Sequence, residues 1–328
     1  MGSGIWCLSV TDRELLLRKF ALSAGIAPSS LSPLGGDASF RRYYRAGSFI
    51  IADSPPDTQK NHEFLKIDKA LANSGIRVPE IIKADLEHGF FLEEDLGDLS
   101  FARALNEKRE RALYQKALSL ASDLALADIE DLPPFDGDFI KTEFEIFRKW
   151  YLKERLGLSL DADENALLDD TRSFFIRECL SQPQVPMHRD FHCRNIMLKG
   201  DELCLIDFQD MVKGPLCYDS ASLIYDCYIK LPEDLALPLV KYAYEQARGR
   251  GLWKGSFDEY NHAFVATSLQ RHVKVLGIFS RLHLRDGKDG YLKDLPRVMS
   301  YCMGEAAELG LDAFGSFLAR VSELPCAR

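Results

Sequence analysis

The sequence predicts an α+β chain in two parts: a small antiparallel-sheet lobe over residues 1–95 and a larger, mainly helical lobe over 96–328. Three observations carry this prediction. Short apolar runs punctuated by Gly and Pro fill the first part, and helical periodicity takes over after Gly97. Beyond that point the strand-like segments are those carrying two polar motifs. One is His188-Arg189-Asp190-Phe191-His192-Cys193-Arg194-Asn195 and the other is Leu205-Ile206-Asp207-Phe208-Gln209. At 328 residues and 46% apolar content the chain can bury two cores.

In the first part, residues 11–24 read as a helix with a Thr/Asp start, ended by Gly25 with Pro28 beyond. Gly35-Gly36-Asp37-Ala38-Ser39 forms a turn whose backbone N–H groups can approach phosphate oxygens. The extended run after it places Arg41, Tyr43 and Arg45 on one face and Phe40, Arg42 and Tyr44 on the other. Residues 49–52 are a strand closed by Pro55-Pro56, and 60–73 a helix stopped by Ser74-Gly75. Strands are expected at 78–83 and 89–93. In the second part helices are expected over 100–128, 140–157, 164–180, 233–249, 257–283 and 291–304.

Composition narrows the function. A net charge of −9 offers no basic footprint for nucleic acid. No apolar run reaches the roughly 18 residues of a membrane span. Position 6 is Trp6, where myristoylation needs Ser or Thr, and no export signal is visible. The eight scattered cysteines form no C-x-x-C pair, which points to a reducing, cytoplasmic setting without zinc. Oligomeric state is not legible.

The motifs carry the chemistry. Phosphoryl transfer from a nucleotide needs one carboxylate for the nucleophile's proton, plus an amide oxygen and a second carboxylate for Mg²⁺. H-R-D-x-x-x-x-N supplies Asp190 and Asn195, and the apolar strand that follows supplies Asp207. Asp190 is therefore the candidate catalytic residue, and Asn195 and Asp207 are the candidate metal ligands, with Mg²⁺ suited to hard oxygen donors and ATP as the phosphoryl source. No G-x-x-x-x-G-K-[ST] sequence occurs, which excludes a Walker-type ATPase.

With His192 two residues after Asp190, and Pro215 and Tyr218-Asp219 close behind Asp207, the region resembles the aminoglycoside phosphotransferase and choline kinase branch of the protein-kinase-like fold. No Ala-Pro-Glu follows, so a peptide-docking activation segment is absent. Residues 36–45, Asp53-Ser54-Pro55-Pro56, 206–210 with Gly214-Pro215, and 269–279 narrow the match. They resemble the bacterial subgroup of anomeric kinases for N-acetylmuramic acid and N-acetylglucosamine in cell-wall recycling. The resemblance spans about residues 30–305 and implies a bilobal ATP- and Mg²⁺-dependent small-molecule kinase. Another small alcohol or an aminoglycoside as acceptor, or a nucleotide-binding regulator without turnover, stay open beside it.

The regulator reading is motivated by a missing lysine: where V-A-I-K would end, the chain has Ile50-Ile51-Ala52-Asp53. Arg41 or Arg42 is the candidate to replace its charge. Gly36, Asp37, Ala38, Ser39 and Phe40 would cover the phosphates, and Glu63 would orient the cation. The linker Glu93-Glu94-Asp95-Leu96-Gly97 would read the adenine edge through its backbone. Asp219 is assigned to bracing the catalytic loop. For the acceptor, Arg271 and Lys274 lie one helical turn apart on one face, suited to a sugar carboxylate. Asp210 could accept a sugar hydroxyl.

Overall fold

A computed structural model describes residues 10–35, 41–106 and 110–327. Two compact units emerge, Met1–Leu99 with Met197–Gln209, and Ser100–Ile196 with Asp210–Arg328.

The first unit begins with α1 (Val10–Ser23), which ends where Gly25 adopts a φ of 75°. The strands β1 (Ser32–Leu34), β2 (Arg42–Ala46) and β3 (Phe49–Asp53) precede α2 (Asn61–Asn73), and β4 (Ile81–Asp85) and β5 (Phe90–Glu94) follow it. They form one antiparallel sheet in the order β1-β2-β3-β5-β4. Residues 78–80, expected to begin a strand, stay outside β4. Leu17, Phe20 and Ala21 of α1 pack on Ile51, Phe90 and Leu92, so α1 covers one face of the sheet. Phe64 of α2 meets Phe91 edge-on at 5.3 Å on the opposite face.

The second unit opens with α3 (Phe101–Ala104) and α4 (Glu110–Leu124) instead of one helix from 100 to 128, because Leu105 turns to extended backbone. Next come α5 (Gly137–Ile146), continued by the π-helical segment Phe147–Arg155, and α6 (Ala162–Leu180) with an Asp161/Glu164 capping box. The strand β6 (Gln184–Met187) enters the Asp190 loop. A hairpin of β7 (Ile196–Lys199) and β8 (Glu202–Leu205), which from Met197 on belongs to the first unit, leads to Asp207, and β9 (Val212–Pro215), back in the second unit, pairs with β6. The remainder is α7 (Tyr218–Ile224), α8 (Glu233–Gly249), α9 (Phe257–Leu284), α10 (Leu295–Glu308) and α11 (Asp312–Ser322). The short α7 and the terminal α11 have no counterpart among the sequence-based expectations.

Helix α9 is the axis of the helical core, buried on nearly every side over its central turns. It passes the α5 segment so closely that a Cβ on Gly277 would lie 2.5 Å from the Ile146 carbonyl oxygen. Within this core His272 Nδ1 pairs with Glu305 at 2.9 Å, Nε2 meets the Tyr225 carbonyl at 2.9 Å, and the ring stacks on Tyr301. Burial alone disfavours the imidazolium, but the Glu305 carboxylate outweighs it and holds the His272 pKa well above the ordinary value. The pair's stabilisation is therefore complete below about pH 6.5 and fades as pH rises through the elevated value. At pH 7, His272→Leu strands a buried carboxylate and should cost about 3–5 kcal/mol in urea unfolding. A loss below about 1 kcal/mol would mean that the pair does not hold the core.

Candidate active site

In the first unit, the polar chain around Asp207 is built from β2, β3, α2 and the segment after β8. Arg41, only 5% exposed, donates from Nε to Ser54 Oγ at 3.0 Å and from Nη1 to Gln209 Oε1 at 3.1 Å. Ser54 Oγ donates to Asn61 Oδ1 at 2.6 Å, and Gln209 Nε2 donates to Asp207 Oδ1 at 2.6 Å. One hydrogen-bonded relay thus runs from the start of α2 to the Asp207 carboxylate. Asp207 sits at φ 64°, a region non-Gly residues rarely adopt, and this turns its side chain outward while Phe208 goes into the core.

The Arg41 guanidinium lies over the Phe64 ring at 4.4 Å, and Phe208 stacks on Phe64 at 5.2 Å. Glu63, expected to orient the cation, is exposed instead: one residue along a helix rotates a side chain by about 100°, and Phe64 takes the inward position. The acid facing Arg41 is Glu93, which belongs to β5 and is buried. Burial pushes Glu93 up to about 7, with Arg41 opposing and Asp68 adding to the rise. Its side chain is therefore part of the Arg41 environment, unlike the backbone-only role read from sequence. Of the linker N–H groups, those of Glu94, Asp95 and Gly97 are engaged within the unit by Glu80, Ser48 and the Asp95 side chain. Leu96 is buried beside them.

Arg42 and Asp53 are register partners and face α1, away from Arg41. Asp53 is buried and receives Arg13 Nε at 2.8 Å. The carboxylate in the lysine's stead is thus neutralised from α1 and looks away from the Arg41 face. Gly36, Asp37, Ala38, Ser39 and Phe40 lie outside the described residues.

The second unit shapes the Asp190 loop. Asp219, in the first turn of α7, accepts from the backbone N–H of His188 at 2.7 Å and of Arg189 at 3.1 Å. This brace holds Arg189 at φ 73° and thereby aims Asp190. The Asp190 carbonyl accepts from His192 N at 3.0 Å and Asn195 Nδ2 at 3.1 Å. That contact uses the amide nitrogen of Asn195, so its amide oxygen is the atom with ligating capacity. Burial would raise the Asp190 pKa, but Lys274, then His192, Arg189 and His188, outweigh it and hold the carboxylate below its ordinary value.

Glu143 of α5, 3% exposed, gathers the positive side chains. It accepts from Gln270 Nε2 at 2.9 Å and from Arg189 Nη2 at 3.2 Å, with Lys274 Nζ at 3.4 Å. Lys274 also donates to Tyr218 Oη at 2.7 Å. Lys274 and Arg271 are therefore buried. The Arg271 guanidinium rests against Cys227 Sγ at 3.4 Å and the Tyr225 carbonyl at 3.5 Å. Asp210 is exposed, and its carbonyl accepts from Arg189 at 3.2 Å. Sequence reasoning missed Glu143, Ser54 and the relay role of Gln209. Glu143 and Glu145 look alike in the sequence, whereas Gln209 in place of the usual Gly was a visible signal.

No cluster of three or more His, Cys, Asp or Glu side chains is arranged for a metal ion among the described residues, and no described helix is long and apolar enough to cross a membrane. The amide oxygen of Asn195 and the carboxylate of Asp207 are hard donors of the kind Mg²⁺ takes, one in each unit.

Comparison with known proteins places the chain in a family. Residues 30–252 match the family model "Phosphotransferase enzyme family". An N-acetylmuramate/N-acetylglucosamine kinase of Pseudomonas aeruginosa is 35% identical over 301 residues, spanning 87% of this chain and 88% of that protein. One of Neisseria meningitidis serogroup B is 37% identical, spanning 81% and 82%. Among solved structures, a choline/ethanolamine kinase family protein from Mesorhizobium loti superposes with a TM-score of 0.65 at 15% identity, over 95% of this chain and 98% of that one. An ADP-bound aminoglycoside phosphotransferase gives 0.62 at 14% identity, over 89% and 98%. The fold is theirs, and with a family match over most of its length the chain belongs to the phosphotransferase enzyme family.

Proposed function

We propose that this phosphotransferase is an ATP- and Mg²⁺-dependent kinase acting on the anomeric hydroxyl of N-acetylmuramate or N-acetylglucosamine, in the cytoplasm. The observation that carries the kinase reading is Asp190, a largely enclosed carboxylate kept ionised by surrounding cations on a braced loop. The acceptor reading is supported by relatives of that name at 35% and 37% identity.

Asp190 accepts the proton of the acceptor hydroxyl as its oxygen forms a bond to the γ-phosphorus and the bond to the departing ADP oxygen breaks. Asn195 and Asp207 would hold Mg²⁺, which supplies neutralising charge to the phosphates. Arg41 contributes the cation otherwise given by the strand lysine, and Gln209 fixes the Asp207 carboxylate. The Leu96 backbone reads adenine. Lys274 and Arg271 set the charge behind the acceptor, and Asp210 stands at its exposed side.

The test is ³¹P NMR with Mg-ATP and, separately, N-acetylmuramic acid, N-acetylglucosamine, choline and kanamycin. An anomeric sugar-phosphate signal is expected with the first two. Product from choline or kanamycin alone would overturn the acceptor but keep the kinase. ATP binding without product from any acceptor would favour a regulator.

A further inference from the structure

We propose that the first unit carries a second anion-binding site, on the α1 face of its sheet, for a small organic oxyanion the size of a phosphorylated or acidic monosaccharide. A cavity of about 250 Å³ opens there, lined by Arg13, Arg18, Arg42, Tyr44, Glu14 and Asp53. Its volume lies below the ~300 Å³ at which ordinary ligand pockets begin, which favours a single sugar-sized body over a nucleotide.

The charges leave a cation over. Arg13 is bonded to Asp53, and Arg18 to Glu14 at 2.6 Å. The Arg42 side chain has neither an ion pair nor a hydrogen bond among the described residues, so three guanidinium groups face two carboxylates. The surplus of positive charge suits an anion. Both members of the Arg18–Glu14 pair are more than half exposed, so that pair is weak and Arg18 can turn to a ligand. Planar forks at Arg18 and Arg42 match the oxygens of a phosphate or carboxylate. Tyr44 and Glu14 provide partners for sugar hydroxyls.

The cavity also stands one residue from the relay on the other side of the sheet. Arg42 adjoins Arg41, and Asp53 adjoins Ser54, which accepts from Arg41. An anion drawing on Arg42 therefore acts on the strand that begins beside Arg41. Binding itself does not depend on which acceptor the enzyme uses.

The test is calorimetry on the full chain saturated with Mg-AMP-PNP, titrated with N-acetylglucosamine 1-phosphate and separately with inorganic phosphate, with hydrogen exchange to locate the ligand. The expected result is binding that protects amides in Val10–Ser23 and Arg42–Ala46. It should weaken by at least about tenfold in both Arg18→Glu and Arg42→Glu. Tighter binding of the sugar phosphate would assign an organic ligand. Equal binding would assign the same site to phosphate itself. Heat of binding without protection of α1, or with affinity unchanged in both variants, would overturn the site. A failed acceptor assay would leave this result unaffected.

Discussion

Asp190→Asn lowers kcat by about two to four orders of magnitude while the KM for ATP stays within about twofold. The substitution keeps the shape and removes the proton acceptor. The loop survives because its internal contacts go to the Asp190 carbonyl, and its brace goes to the backbone of His188 and Arg189. Steady-state kinetics with the acceptor identified by ³¹P NMR measure the effect. Near-normal turnover would remove Asp190 from the proton-accepting role. A joint collapse of kcat and nucleotide binding would instead indicate that the loop had lost its shape.

Arg41→Ala lowers kcat/KM for ATP by about 10²–10³-fold, the cost of losing one preorganised charge at a phosphoryl site. Arg42→Ala, on the opposite face, changes it by less than about threefold. The contrast matters because the two residues are adjacent and equally basic, so only the direction of the side chain separates them. Arg41→Lys is the control: it restores a charge but cannot bond both Ser54 and Gln209 through a planar fork, so a partial recovery is expected. Equal losses in the Arg41→Ala and Arg42→Ala variants would sink the assignment.

How far these features were legible depended on what encodes them. Asp190, Asn195 and Asp207 announce themselves because a loop of fixed length needs fixed spacing, and spacing is written in the chain. The alternation of β2 could also be read, placing Arg41 and Arg42 on opposite faces, but which face α2 would cover is decided by tertiary packing. Glu63 and Phe64 show the same limit at one residue's distance. Periodicity alone did not distinguish the exposed from the buried member, and the expected carboxylate partner of the cation became an aromatic ring. The cluster around Glu143 was the least legible part. Arg271 and Lys274 sit on a helix buried nearly all round, so amphipathic reasoning had no polar face to work from. Their acid, Glu143, comes from another helix more than a hundred residues earlier, beyond the reach of any local pattern.

The pairing of Arg13 with Asp53 limits what position 53 can accept. Changing Asp53 to Lys, the simplest route back to a strand-borne lysine, would aim the new ammonium at α1 and set it against Arg13. The Arg41 face of the sheet would gain nothing. A functional reversal needs a concerted exchange at Arg13, Asp53 and Arg41, and each single step toward it leaves an uncompensated charge in a buried place. The Arg13–Asp53 pair therefore locks position 53: a cation placed there requires a matching change at Arg13.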